Sequence, residues 1–367
     1  MIEFSGFSVT PDVEELLDVL WRRGRPKRVH YIELFHDAEV IQRIADRYML
    51  TGDLNKNDPA YALKLNIAVH QFLGFDVFHL PMAGEDFFTL KINLARDTAV
   101  QNTNRGGRLW MEEHEGPIQS WKDFESYPWP EIKNIDLSQL EWMEKNLQRN
   151  MGCYKLTAGI LETLTWLIGY ENFCLMIYDD PALIGAICEK VGTFYVEYTK
   201  VLCTFECIPI IWGSDDMGFR TSTLVSADFL RKKILPWHRR CAEIAHNTQR
   251  PYLLHSCGKL DEIMLDLIKD VKIDAKHSFE DNILPVIEAF HAYSDQIAIL
   301  GGIDVDFLCR SDEKSVRQKV KETLEVCMQK KGGYCLGTGN SVANYISLDN
   351  YLAMLDEGRK FTHCVDK

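Results

Sequence analysis

Three residues in this chain carry soft donor atoms where catalysis could use them. His255 and Cys257 lie in PYLLHSCGKL and Cys335 lies in GGYCLGTGNS, each just after a hydrophobic run that reads as a strand. An imidazole and two thiolates suit a tetrahedral Zn²⁺ that keeps one position open, which is what separates a catalytic zinc from a structural one. The second cysteine lies too far downstream for a compact zinc finger. The fold must therefore bring distant strand ends together. Cys335 also reads as a core thiol, because a free cysteine packs as a small hydrophobe.

Eight short apolar runs can supply those strand ends: 29–35, 76–81, 154–159, 208–214, 252–256, 273–277, 297–302 and 333–336. From about residue 150 they alternate with amphipathic segments. Leu260, Ile263, Met264, Leu267 and Ile268 keep a 3.6-residue period, and Val316, Val320, Leu324 and Cys327 mark a helix over about 312–330. Strands that are apolar throughout belong to a parallel sheet covered on both faces. The expected fold class is α/β: a single (β/α)8 TIM-type barrel over residues 1–367 with an elaborated N-terminal region. Residues 82–150 break the rhythm and read as an elaboration, with FTLKINLARDT as an extra strand.

Active sites of such barrels form where strands end and βα-loops begin. Those positions offer Glu33, His36, His79, Glu162, Ser214, Asp215, Asp216, His255, Cys257, His277, Asp304, Cys335 and Asn340. Glu162, Asp215, Asp216 and His277 are the acid–base candidates. Asp304 and Asn340 are the candidates for contacting a cofactor. Glu33, Glu162 or one of the two aspartates is the candidate fourth group on a metal. Adjacent Asp215 and Asp216 point opposite ways in extended chain, so one faces the cavity and the other serves the wall. Asp304 equally reads as a helix cap, and Glu162 as a carboxylate placed for the helix dipole.

Composition narrows the partners. The 367 residues carry 54 acidic and 41 basic side chains, a net charge of −13, which argues against nucleic acid or an anionic membrane. No apolar stretch is long enough to cross a bilayer. MIEFSGFSVTPDVEELL lacks the basic and apolar regions of a signal peptide, so a cytoplasmic location is expected, with most of the eleven cysteines as free thiols. A homodimer is compatible with the sequence.

The chain resembles the uroporphyrinogen decarboxylase superfamily over about residues 25–362. The resemblance is carried by RVHYIELF, GILETLTWLIGYENF with the following YDDP, WGSDDMGFRT, LHSCGK and GTGNSVANYISLDNYLAML. It implies one distorted β/α barrel. The arginine-rich RQAGRY-like run of true uroporphyrinogen decarboxylases is missing; the matching region reads RGRPKRVHYIELFHDAE. The chain is more similar to the zinc-dependent methyltransferases that work with corrinoid proteins, whose ligand pattern, His-x-Cys and a distant Cys, matches His255, Cys257 and Cys335. That branch implies Zn²⁺, a corrinoid (cobalamin) supplied by a partner protein, and a small O- or S-methyl substrate such as an aryl methyl ether, a methanol-like compound or a thiol. The alternative is a metal-free decarboxylase of a carboxylated ring, with His277 and Asp215 or Asp216 handling protons.

Overall fold

Parallel strands linked by helices make up most of this chain, seen in a computed structural model that describes residues 4, 9–52, 54–81, 87–95, 108–111, 114–329 and 333–365. The strands are β1 (Val77–His79), β2 (Ile92–Ala95), β3 (Arg108–Met111), β4 (Gly152–Tyr154), β5 (Leu156–Ala158), β6 (Ile211–Ser214), β7 (Tyr252–His255), β8 (Ala275–His277), β9 (Ala298–Leu300) and β10 (Tyr334–Cys335). Six run side by side in the order β10-β9-β8-β7-β6-β5, and β1 pairs with β4, all in parallel. The ring continues from β10 through a parallel bridge between Tyr31 and Leu336, reinforced by Ile32 N donating to Leu336 O at 3.0 Å. The architecture is an α/β barrel of the TIM type.

Seven of the eight predicted strand regions hold strands. The first, 29–35, contributes only bridges, including His36 to Val342 further up. The third is two strands, β4 and β5, interrupted at Lys155, whose buried Nζ donates to Leu80 O at 2.5 Å. The extra strand expected in 82–150 is β2. It forms an antiparallel hairpin with β3 outside the barrel, Ile92 opposite Met111.

Two cores result. One lies inside the ring and contains Ile32, Leu34, Val77, Tyr154, Trp212, Leu253, Ala275, Ala298, Leu300 and Cys335. The larger one fills the space between strands and helices. The helix Val13–Leu20 turns Val13, Leu16, Val19 and Leu20 into the inner core and so plugs the N-terminal end of the barrel. Its cap is Asp12, which accepts from Glu15 N at 3.0 Å. A polar cluster rims the plug: Asp76 accepts from Arg28 and sits 2.8 Å from His30, while His30 faces Glu15 at 3.6 Å. No described helix is long and apolar enough to cross a membrane.

The His30 contact, followed by the Lys27 backbone N–H, holds the Glu15 carboxyl down at about 2. A depressed carboxyl contributes stability that is complete above about pH 4.5 and disappears as pH falls through about 2. Glu15→Gln is therefore expected to flatten the acid limb of the stability curve in that window and to lower stability at pH 7 by about 1–3 kcal/mol, because the carboxylate's contribution is complete there, while the two proteins converge below about pH 2. Urea midpoints measured from pH 2 to 7 check this.

Candidate metal site at the barrel mouth

Two loops make the mouth, and glycines let them touch. Asp216 follows β6, and Cys257 follows β7. A Cβ on Gly218 would lie 2.6 Å from Cys257 O, and one on Gly258, whose φ is +80°, would lie 2.3 Å from Gly218 C. Only glycine fits both positions. The contact is sealed by Lys259 N donating to Phe219 O at 2.8 Å and Met217 N donating to Ser256 Oγ at 3.1 Å. Gly258→Ala is expected to cost about 1–3 kcal/mol from backbone strain and collision. Its denaturant midpoint checks that.

Asp216, His255 and Cys257 are the group that the close approach creates, with one ligand atom from each lying within 4.8 Å of the others. His255 Nε2 is 3.4 Å from Cys257 Sγ and 3.5 Å from Asp216 Oδ1. Tetrahedral zinc with Zn–N and Zn–S bonds of about 2.0–2.1 and 2.3 Å would hold the N and S atoms about 3.6 Å apart. The spacing fits a metal.

Proton placement fits it too. His277 Nε2 is 3.1 Å from Thr338 O, a carbonyl that can only accept, so the His277 proton is on Nε2. Its Nδ1 is then an acceptor and takes the proton of His255 Nδ1 at 2.8 Å. Burial keeps both rings neutral, with His255 held down at about 3 and His277 well below its usual value. His255 Nε2 therefore presents a lone pair toward Cys257 and Asp216, as an imidazole ligand must.

The sulfur is set up to accept. Ser278 Oγ and Asn340 Nδ2 each donate to Cys257 Sγ at 3.3 Å. The amide orientation is fixed because Asn340 Oδ1 accepts from Ser341 N at 2.7 Å, and Ser278 holds a strained φ of +83°. Burial, and after it the charge of Asp216, nevertheless push the Cys257 thiol up. A dication among these atoms would relieve both penalties. Lys276 supports the loops from below: its buried Nζ donates to Ser256 O, His277 O and Ser278 O at 3.1, 3.2 and 2.8 Å. A cavity of about 360 Å³ opens in front of Cys257, lined by Phe219, Arg220, Glu280, Asn282 and Ile283.

The remaining predicted residues divide sharply. Asp215 is fully buried and turned away from the mouth. It caps the helix Ile160–Ile168 of the neighbouring unit, accepting from Leu161 N at 3.1 Å and Glu162 N at 3.0 Å, and it meets His238 Nε2 at 2.8 Å. The alternation at 215–216 is observed, and an acid–base role for Asp215 is corrected to a structural one. Glu162 accepts from Asp216 N; burial, then Asp216 and Asp215, push its carboxyl well up. Asp304 is spent on Phe307 N and Asp281 N, both at 3.0 Å, so it is a cap rather than a cofactor contact.

Cys335 is the main correction. It is fully buried in the inner core and outside the Asp216–His255–Cys257 group. Burial pushes its thiol up, and the charges that act on it are those of Asp76 and Arg28, at the plugged end. The reason is barrel shear. Cys335 pairs with Leu300, which pairs with His277, which pairs with His255, but tilted strands stagger that row, so three strands on it lies deeper. Mouth level on this unit is reached at Thr338 and Asn340. Ser278, Lys276, Thr338, His238, Glu280 and Arg220 were not singled out in the sequence, where no spacing pattern marks them.

Fold and site together define a parallel α/β barrel with a His-x-Cys cluster at its C-terminal mouth. The chain belongs to the uroporphyrinogen decarboxylase (URO-D) family, whose model matches residues 92–361, about three-quarters of its length. A curated relative, the methylated-thiol–coenzyme M methyltransferase of Methanosarcina mazei, is 27% identical over 188 residues, covering 51% of this chain and 47% of that protein. The match thus spans about half the length of that relative. Among solved structures, a methyltransferase from Methanosarcina mazei superimposes with a TM-score of 0.71 at 16% identity, covering 96% of this chain and 99% of the other. A B12-independent methionine synthase from Shewanella sp. W3-18-1 reaches 0.51 at 11% identity, with 99% of each chain covered. At these identities the structural likenesses establish the fold.

Proposed function

We propose that this protein is a zinc-dependent methyltransferase that moves a methyl group between a small O- or S-methyl compound and the cobalt of a corrinoid carried by a partner protein. The observation that carries the reading is the forced tautomer of His255, which aims an imidazole lone pair at the Cys257 sulfur and the Asp216 carboxylate. The names of the relatives support methyl transfer as the reaction class. His255, Cys257 and Asp216 would hold the metal, with its open position toward the cavity that Arg220 and Glu280 line. When bound, Zn²⁺ supplies Lewis acidity to the oxygen or sulfur that bears or receives the methyl group. The chain's own residues do the rest. His277 fixes the His255 ring, Ser278 and Asn340 neutralise charge on the Cys257 sulfur by donating to it, and Glu162 holds Asp216 by accepting its backbone N–H.

A decarboxylase of a polycarboxylated ring is supported less well, because Arg220 is the single arginine among the described residues that line the cavity, and Glu280 lines it too. The test is metal analysis of the purified chain, followed by methyl transfer from aryl ethers, methanol and methyl thioethers to cob(I)alamin. About one zinc per chain and turnover abolished by a chelator are expected. Protein that takes up no zinc on reconstitution, or turnover indifferent to the chelator, overturns the reading.

A further inference from the structure

The segment after β10 acts twice at the mouth. Its Thr338 carbonyl receives the His277 proton, and its Asn340 amide reaches Cys257. The group that holds this segment is Glu33, on the chain that bridges to β10. Thr338 N lies 3.0 and 3.1 Å from the two Glu33 oxygens, and Thr338 Oγ1 contacts Glu33 Oε2. The approach is close because residue 337 is glycine: a Cβ there would lie 1.9 Å from Ile32 O.

Counting protons settles the state of this contact. The Thr338 hydroxyl has one proton, and Oγ1 is 2.6 Å from Asn340 O, a carbonyl that can only accept. With its proton committed there, Oγ1 offers Glu33 lone pairs only. The short contact between them then needs a proton on Glu33. The carboxyl is 2% exposed, and burial pushes it up to about 8 against the opposing bonds from Thr338 and Tyr351. Geometry and burial agree.

We propose that Glu33 is a positioning residue that works as a protonated carboxylic acid, fixing through Thr338 both the His277–His255 tautomers and the Asn340 donor on Cys257. It touches neither metal nor substrate. Its effect on metal binding rests on the zinc reading above; its effect on the tautomers does not.

The experiment uses the full chain in three forms, wild type, Glu33→Gln and Glu33→Leu, each labelled with ¹⁵N-histidine. Spectra of the metal-free proteins report the tautomers, and Zn²⁺ affinity is measured by competition with a chromophoric chelator. Glutamine can accept from Thr338 N and donate to Oγ1 as the protonated acid does. Glu33→Gln is therefore expected to keep Nδ1–H on His255 and Nε2–H on His277, with affinity within about threefold of wild type. Glu33→Leu is expected to mix the tautomers and weaken zinc about 10–100-fold, the range for loss of an outer partner of a metal ligand. Should the leucine variant not fold, Thr338→Val replaces it, keeping the backbone donor, removing the hydroxyl and weakening zinc about 10-fold. A leucine or valine variant with unmixed tautomers and wild-type affinity overturns the proposal, and so does a glutamine variant as impaired as the leucine one. Wild type that binds no zinc but shows the stated tautomers sinks the functional reading and leaves the positioning role standing.

Discussion

Cys257→Ser is expected to lose stoichiometric zinc, with affinity falling at least about 100-fold, while Cys335→Ala keeps about one zinc per chain. The first half follows from the site. Cys257 Sγ is the soft donor in the described cluster, and Asp216 and His255 by themselves leave a dication with two protein ligands. Loss of an outer partner of a ligand costs 10–100-fold, and loss of the ligand itself costs more. Serine preserves the volume and keeps a hydroxyl within reach of Ser278 and Asn340, so any loss belongs to the sulfur rather than to packing. Methyl transfer should fall with the metal.

The second half separates the structure from the simpler sequence pattern. Cys335 lies among apolar side chains deep in the ring, so truncating it removes one buried heavy atom at about 1–2 kcal/mol and leaves the mouth alone. Metal content by atomic absorption and urea midpoints for both variants check the pair. Zinc lost from Cys335→Ala and retained in Cys257→Ser would reverse the assignment.

Much of this arrangement was legible in the sequence because parallel barrel strands are apolar on both faces and read as continuous runs. Strands β6 to β9 were visible for that reason. The first region was less so, because His30, Glu33 and His36 interrupt its apolar pattern and only bridges form there. At the site, LHSCGK announced His255 and Cys257, and the adjacency of Asp215 and Asp216 announced that one would face each way. Linear order does not reveal depth. Strand tilt lowers Cys335 toward the plug and leaves Thr338 and Asn340 at the mouth, a displacement that depends on shear around the whole ring. Thr338, Lys276 and Ser278 act through contacts between neighbouring units, so nothing local marks them. Asp304 was the reverse case, since the bland expectation of a cap was the correct one.

Asp215→Ala is expected to destabilise the protein by about 3–5 kcal/mol, the largest stability change of any single substitution considered. The carboxylate has no solvent exposure and serves three donors: Leu161 N, Glu162 N and His238 Nε2. His238 in turn faces the Tyr252 hydroxyl at 2.8 Å, so the network ties β6, β7 and two helices together. Removing the acceptor orphans three buried N–H groups at once, and breaking such a pair costs about 3–5 kcal/mol. Asn is no rescue. Its NH₂ would have to face Glu162 N at one position or both Leu161 N and His238 Nε2 at the other, so Asp215→Asn should recover little of the loss. Gly159 permits the cap, since a Cβ there would sit 2.0 Å from Asp215 Oδ1 and no larger residue could be accommodated without expelling the carboxylate. Asp216→Asn supplies the contrast. With its side chain 37% exposed at the mouth, it should leave the urea midpoint nearly unchanged and weaken zinc instead. Equal m-values across the set make the midpoint shifts readable as stability. If Asp215→Ala kept wild-type stability while Asp216→Asn unfolded, the wall and the mouth would have exchanged places. A loss of stability at 215 would also reach the site, because the helix it anchors carries Glu162, whose carboxyl holds the backbone of Asp216 against the His255–Cys257 pair.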